Sequence, residues 1–68
     1  MDMRALVGRN VRQRRAALGM TQEELAVAAG VSQQYVSGLE RGQRNPTILT
    51  LWDLAKPLQT SPADLLTP

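Results

Sequence analysis

The sequence predicts an all-α domain of five short helices, and three observations support this fold class. Apolar residues recur at helical spacing, for example at Val7, Val11 and Leu18. Residues that start and stop helices follow one another so closely that little room is left for strands. The chain has 68 residues and no cysteine, so it suits one domain whose core consists of packed aliphatic side chains. We therefore expect a single compact domain over residues 1–68.

The first two helices are bounded by residues with known capping preferences. Gly19 is well placed to stop the first helix. The second begins with a capping box, in which the Thr21 hydroxyl accepts from the backbone of Glu24 and the Glu24 carboxylate bonds back. It ends at Gly30. The inward residues of the second helix are Leu25, Ala26 and Ala29.

The third helix is capped by Ser32, packs inward through Val36 and Leu39, and is followed by Gly42. Thr47 caps the fourth, whose predicted apolar face consists of Ile48, Leu51, Leu54, Ala55 and Leu58.

The end of the fourth helix departs from this pattern. Pro57 lacks a backbone donor, and Gln59 stands where a glycine would be less costly, so we expect this helix to kink or end early. The run Ser61-Pro62-Ala63-Asp64 then starts a short fifth helix with Leu65 and Leu66.

Residues 22–41 combine a helix, a three-residue turn and a second helix. The small Ala26 and Ala29 allow a close crossing, and Gly30 permits the positive φ that a sharp turn requires. With Val36 and Leu39 packed inward, these features are typical of the helix-turn-helix of DNA-binding proteins.

A family resemblance extends from Val7 to Leu66. It is carried by ALGMTQEELAVAAGVSQQYVSGLERGQRNPTILTLWDLAKPL and SPADLL, and its specific residues are Gln22, Glu24-Leu25-Ala26, Gly30-Val31-Ser32, Glu40 and Gly42. The chain resembles the Cro/C1-type (lambdoid phage repressor, xenobiotic-response-element-like) helix-turn-helix family. The resemblance implies a compact five-helix, lambda-repressor-like domain whose third helix enters the major groove of DNA.

Helical geometry independently predicts which side of the third helix is exposed. With Val36, Leu39 and Glu40 inward, about 100° per residue turns the intervening side chains outward. Glutamine can bond bidentately to adenine in the major groove. The predicted base-contacting residues are Gln33, Gln34, Ser37 and Gly38. Ser37 could instead contact a phosphate or only solvent. Gly38, where relatives often have a longer side chain, could admit the backbone to the groove or simply remove one contact.

The resemblance also implies phosphate contacts on both sides of the third helix. Gln22 lies at the start of the second helix, and Arg14 replaces a commonly aliphatic residue of the first. Tyr35 could contact a phosphate or a thymine methyl, or pack beside the neighbouring helix. The predicted phosphate-binding set is Gln22, Tyr35, Arg41, Gln43, Arg44, Asn45, Thr47 and Arg14.

Glu40 requires a partner because it faces inward. The resemblance implies an ion pair between Glu40 and Arg15, which would fix how the first helix meets the third. Arg9 and Arg12 are expected to lie on a solvated face.

Composition narrows the function further. The net charge is +2, seven of the eight cations are arginine, and residues 4–15 contain five of them without an acid. Arginine suits phosphate contact, although a solvated basic face would have the same composition. With no histidine, cysteine, glycine-rich phosphate loop or paired-carboxylate site, we expect no enzyme activity, cofactor, metal or small-molecule ligand.

No apolar run approaches a membrane span and no signal-peptide core is present, so we expect a cytoplasmic, nucleoid-associated protein.

These observations predict a sequence-specific, double-stranded DNA-binding transcriptional regulator of the repressor type. One short recognition helix makes few base contacts, so we expect a homodimer on a palindromic operator. Leu49, Trp52 and Leu66 are the candidate dimer contacts, with ordinary partial burial as the alternative. The alternative function is a protein-interaction module of the same fold, acting as an antitoxin-like partner or adaptor.

Overall fold

The computed structural model describes residues 1–68 and contains five helices and no strand. The helices are α1 (Met3–Ala17), α2 (Gln22–Ala29), α3 (Gln33–Glu40), α4 (Ile48–Ala55) and α5 (Pro62–Leu65). The all-α, five-helix architecture predicted from the sequence is therefore confirmed. None of the five has the length and apolar content that a membrane crossing requires.

The predicted capping residues begin the helices as expected. Thr21 and Glu24 form both halves of the capping box at the start of α2. Ser32, Thr47 and Ser61 each accept a backbone N–H in the first turn of α3, α4 and α5. These bonds satisfy amide groups that a helix start would otherwise leave unpaired.

The core lies where α2 and α3 pack on each other and on the remaining helices. α3 also packs on α1, while α4 contacts both α2 and α5. The fully buried side chains are Leu25, Leu39, Leu54, Leu58, Leu65, Val11 and Val36. Since α3 is buried against two helices along one side, its position relative to the rest of the domain is fixed by the core.

Gly8 brings α1 unusually close to the end of α3. A Cβ atom at residue 8 would overlap the carbonyl oxygen of Leu39 and would lie 2.9 Å from that of Glu40. Such distances are far inside van der Waals contact, so only glycine allows this approach. Gly8 thereby helps to set the position of α3.

The fourth helix ends early, as Pro57 and Gln59 indicated. It stops at Ala55, and Gln59 has a positive φ of 55°, the only non-glycine residue that does. Leu58 is nevertheless buried beyond the helix end.

Ile48 was predicted on the apolar face of α4, and that prediction is wrong, because the side chain is 80% exposed. At about 100° per residue it lies about 70° from the middle of the buried side, toward Trp52, in the first turn of the helix.

Candidate nucleic-acid interface

The turn between α2 and α3 is held by backbone geometry and local hydrogen bonds. Gly30 ends α2 with φ of 75°, in the left-handed region that glycine adopts without steric cost. The N–H of Val31 bonds to the carbonyl of Ala26 at 3.0 Å, and the Ser32 hydroxyl accepts from the N–H of Tyr35 at 3.0 Å. The two helices therefore meet in a defined orientation.

The two sides of α3 differ sharply in burial. Val36 and Leu39 are completely buried, whereas Gln33 and Gln34 are exposed and Ser37 is half-buried. The exposed side opens onto a shallow cleft of about 360 Å³ with no hydrophobic side chain in its lining. This polar cleft is lined by Gln22, Gln33, Gln34, Ser37 and Arg41. Amide, hydroxyl and guanidinium groups thus converge on one surface without an acid among them.

Below the cleft, the predicted ion pair between Arg15 and Glu40 is present. The guanidinium meets the carboxylate with two bonds, Nε to Oε2 at 2.6 Å and Nη2 to Oε1 at 3.0 Å. The remaining nitrogen, Nη1, donates to the carbonyl of Met20 at 2.8 Å. The hydrogen bond to Glu40 raises the pKa of Arg15 above its ordinary value, so the guanidinium keeps its positive charge.

Glu40 also orients a residue of the polar cleft. Its Oε1 accepts from Nε2 of Gln22 at 3.1 Å, and its side chain is only 4% exposed. The carboxylate is therefore neutralised by Arg15 and does not repel an anion at the cleft. Glu23 and Glu24 line a different depression on α2, together with Val27.

The segment between α3 and α4 contributes a second set of polar side chains. The N–H of Gln43 bonds to the carbonyl of Gly38 at 2.9 Å, which ties the start of the segment to α3. At its other end, the Thr47 hydroxyl accepts from the N–H of Thr50 at 3.1 Å. Between these anchors the predicted phosphate-binding residues Arg41, Gln43, Arg44, Asn45 and Thr47 are exposed.

Two of the expected placements are wrong. Arg14 does not extend toward the cleft, because Nε donates to the carbonyl of Leu58 and Nη2 to that of Gln59, both at 2.8 Å. These bonds tie the segment that follows α4 to α1 and satisfy carbonyls that lie beyond the end of the helix. Gly38 was expected on the exposed side of α3 but is buried, since the Arg44 side chain covers it.

Two residues that hold parts of the domain in place are missing from the predicted set, and only Gly8 acts directly on α3. Gly8 sets the approach of α1 to α3, and Asn10 holds the C-terminal segment through bonds from Nδ2 to the carbonyls of Leu65 at 2.9 Å and Thr67 at 2.8 Å. A glycine inside a helix was the only signal for the first, since it costs stability unless close packing requires it. Asn10 gives no local signal, because its partners lie at the other end of the chain.

Comparison with known proteins agrees with this geometry. A helix-turn-helix family model (HTH_3) matches residues 11–65. An uncharacterized HTH-type transcriptional regulator, y4dJ of Sinorhizobium fredii, is 54% identical over 68 residues, which cover 100% of this chain and 88% of that protein.

Two solved structures are similar throughout. The restriction-modification controller protein C.AhdI from Aeromonas hydrophila is 39% identical with a TM-score of 0.87, covering 91% of this chain and 94% of that one. SinR, a master regulator for biofilm formation in complex with DNA, is 35% identical with a TM-score of 0.85, covering 90% and 98% respectively. The chain therefore belongs to the Cro/C1-type helix-turn-helix family: it is a transcriptional regulator with a helix-turn-helix DNA-binding domain, and it is not an enzyme.

Proposed function

We propose that this regulator is a repressor that binds a palindromic operator as a homodimer, with α3 of each subunit in the major groove. The observation that carries the proposal is the polar cleft along the exposed side of α3, which contains amides and a guanidinium but no acid and no apolar group. Base edges in the major groove present patterns of donors and acceptors, and amide side chains complement them. The similar protein SinR was solved in complex with DNA, which supports DNA as the ligand of this domain.

Within this proposal, base recognition belongs to the exposed residues of the first two turns of α3. Gln33 and Gln34 are exposed where they line the cleft, and Ser37, which also lines it, is half-buried. A glutamine that bonds adenine at N6 and N7 discriminates against other bases by about 1–3 kcal/mol. Gly38 has no place in this set because it is covered.

Phosphate contacts would come from the two borders of the cleft. Gln22 begins α2, where backbone N–H groups point away from the helix and favour an anion. The α3–α4 segment supplies charged and polar groups on the other border. The proposed phosphate-binding residues are Gln22, Arg41, Gln43, Arg44, Asn45 and Thr47.

The dimer would form through the C-terminal half of the domain. Leu49 is 75% exposed, Trp52 53% and Leu66 40%, although each is a large apolar side chain. Ile48, also exposed beside Trp52, extends this surface. A dimer that occupies an operator represses by excluding other proteins from the same stretch of the chromosome, which would place the regulator at the nucleoid in the cytoplasm.

Salt dependence of duplex binding tests the proposal. If each subunit neutralises about 4–6 phosphates, the logarithm of the binding constant should fall against the logarithm of salt with a slope of about −0.9 per contact. The measurement is a fluorescence-anisotropy titration at several salt concentrations, with a duplex selected from a random pool. Affinity that stays constant from low to physiological salt would contradict DNA binding and favour the protein-interaction module.

A further inference from the structure

Arg44 lies across α3 at the position of Gly38. A Cβ atom built on Gly38 would lie 3.2 Å from Nε and 3.3 Å from Cγ of Arg44. These distances are tighter than ordinary van der Waals contact, so any side chain at residue 38 would compete with Arg44 for the same space. The space that a side chain at residue 38 would need is therefore filled by the aliphatic part of the Arg44 side chain.

The guanidinium of Arg44 is placed by packing alone. Its central carbon lies 5.4 Å from the centroid of the Tyr35 ring, within the range of a cation–π interaction. Arg44 takes part in neither of the two ion pairs, and no protein acceptor bonds to it. All of its N–H groups are thus free for an external acceptor, while Gly38 and Tyr35 restrict where they lie.

The backbone that carries Arg44 is itself anchored to α3. The N–H of Gly42 bonds to the carbonyl of Leu39 at 3.0 Å, and that of Gln43 bonds to the carbonyl of Gly38 at 2.9 Å. These bonds hold the residues just before Arg44 against the end of the helix. The Arg44 side chain then lies back over Gly38, the same residue whose carbonyl accepts from Gln43.

Helical geometry places this guanidinium beside the polar cleft. At about 100° per residue, position 38 lies about 40° from Gln34, on the side away from Ser37 and toward Tyr35. Arg44 therefore lies beside the base-contacting side of α3, at its Tyr35 edge. With α3 in the major groove, this edge would face one wall of the groove. Phosphates line that wall, and an unpaired guanidinium is suited to them.

We propose that Gly38 and Tyr35 are positioning residues that hold Arg44 along the border of α3, so that its guanidinium is already placed for a DNA phosphate before binding. This inference rests on the proposed function. In this arrangement Gly38 does not contact a base but leaves the space that Arg44 fills. Tyr35 supports the Arg44 guanidinium with its ring, where a phosphate contact had been expected. Placing the side chain in advance removes part of the cost of ordering it on DNA.

A double-mutant cycle between residues 38 and 44 tests the proposal. Gly38→Ala should displace Arg44 and lower duplex affinity about three- to tenfold, while thermal unfolding stays unchanged or moves upward because alanine favours a helix. Arg44→Ala should weaken binding to all sequences and reduce the salt slope by about 0.9. In the Arg44→Ala background, Gly38→Ala should have no further effect on affinity.

Substitutions of Tyr35 and a remote arginine complete the experiment. Tyr35→Phe keeps the ring and should retain more affinity than Tyr35→Leu, which removes it. Arg9→Ala, an exposed arginine on α1 outside the interface, controls for the loss of one positive charge and should stay near the wild-type affinity.

Each contrary result has a distinct meaning. If Gly38→Ala weakened binding equally with and without Arg44, the backbone at residue 38 would itself approach DNA, and the inference would be wrong although the protein binds DNA. Equal affinities for Tyr35→Phe and Tyr35→Leu would also overturn it. A wild-type protein with no salt-dependent duplex binding would overturn the proposed function and this inference together.

Discussion

The Glu40 carboxylate accepts hydrogen bonds from both Arg15 and Gln22, and so connects the packing of α1 on α3 to the lining of the polar cleft. A buried carboxylate that loses its partner typically costs about 3–5 kcal/mol. Because the pKa of Arg15 is raised on folding, its contribution is fully present below the ordinary pKa of arginine and is lost only as pH rises beyond it. Variants at this pair would therefore lose DNA binding through unfolding, which makes them poor probes of recognition.

Gln34 is a better probe because it is exposed and its side chain makes no hydrogen bond within the protein. We expect Gln34→Ala to reduce discrimination at one base position by about 1–3 kcal/mol. Stability should change by less than about 0.5 kcal/mol, since no buried contact is lost. Selection from random duplexes, followed by urea denaturation of the same protein, measures both quantities.

Gln13→Ala provides the matched control for this experiment. Gln13 is an exposed glutamine on α1 that lines a different surface depression, beside Arg14 and Thr60. The same substitution there should leave the selected sequence unchanged. If Gln34→Ala also selected the wild-type sequence at every position, Gln34 would not be a base contact.

At the scale of the helices, the features that can be predicted from the sequence are those set by neighbouring residues. Thr21, Ser32, Thr47 and Ser61 each bond to an amide three residues away, so the helix starts can be predicted without knowing the fold. Ile48 could not be placed in the same way. Its spacing puts it at the margin of the apolar face of α4, about 70° from the middle, so its burial depends on whether another element covers the first turn.

In the candidate site, too, some placements follow from the local sequence and others depend on the fold. The exposure of Gln33 and Gln34 follows from the helical period once Val36 and Leu39 are taken as core. Gly38 obeys that period too, yet it is covered by a residue six positions later, whose path depends on the fold of the segment. Family resemblance placed Arg15 and Glu40 together, whereas nothing local indicated that Arg14 would bond carbonyls beyond α4.

The end of α4 offers a test of backbone conformation at the same scale. Gln59 adopts a φ of 55°, which costs a non-glycine residue about 1–2 kcal/mol. After allowance for the greater freedom of glycine in the unfolded chain, Gln59→Gly should raise the free energy of unfolding by about 0.5–1 kcal/mol. Chemical denaturation with an unchanged m-value would measure the gain.

Two further variants separate backbone strain from the loss of a side chain. Gln59→Ala removes the side chain but retains the strained φ, so it should give no comparable gain. Gly30→Ala should do the opposite of Gln59→Gly, because φ there is 75° and no atom within 4 Å would clash with the new methyl group. Its cost of about 1–2 kcal/mol would come from conformation alone. Equal stabilities for Gln59→Gly and Gln59→Ala would contradict the explanation.

For the whole molecule, one copy is too small to reach both half-sites of the proposed palindromic operator. The domain measures 29 × 21 × 21 Å, whereas successive half-sites on one side of B-DNA lie about 34 Å apart. On the proposed palindromic operator, a second copy is required to place a second α3 in the next turn of the major groove. The exposed apolar side chains Leu49, Trp52 and Leu66 are the surface that we propose for that copy, because large apolar groups gain most from removal from water.

The single tryptophan makes this association measurable without a label. Trp52 is half-exposed in one copy, so its emission should shift to shorter wavelength as rising protein concentration forms dimers. Leu49→Glu would place an unpaired carboxylate in the interface of each subunit. It should weaken the dimer about 100-fold or more and keep the emission at its solvent-exposed wavelength. Sedimentation velocity over the same concentrations gives the mass directly.

Val27→Glu is the matched control, since Val27 is 78% exposed on α2, outside the proposed interface. It should dimerise like the wild type. On DNA, Leu49→Glu should bind a single half-site with the salt slope of one subunit but lose the advantage of a palindrome whose half-sites are one turn apart. The proposal would be wrong if the wild-type protein sedimented as a monomer at every concentration and bound the palindrome no more tightly than expected for independent binding to each half-site. The exposed apolar side chains of α4 would then not form a dimer interface.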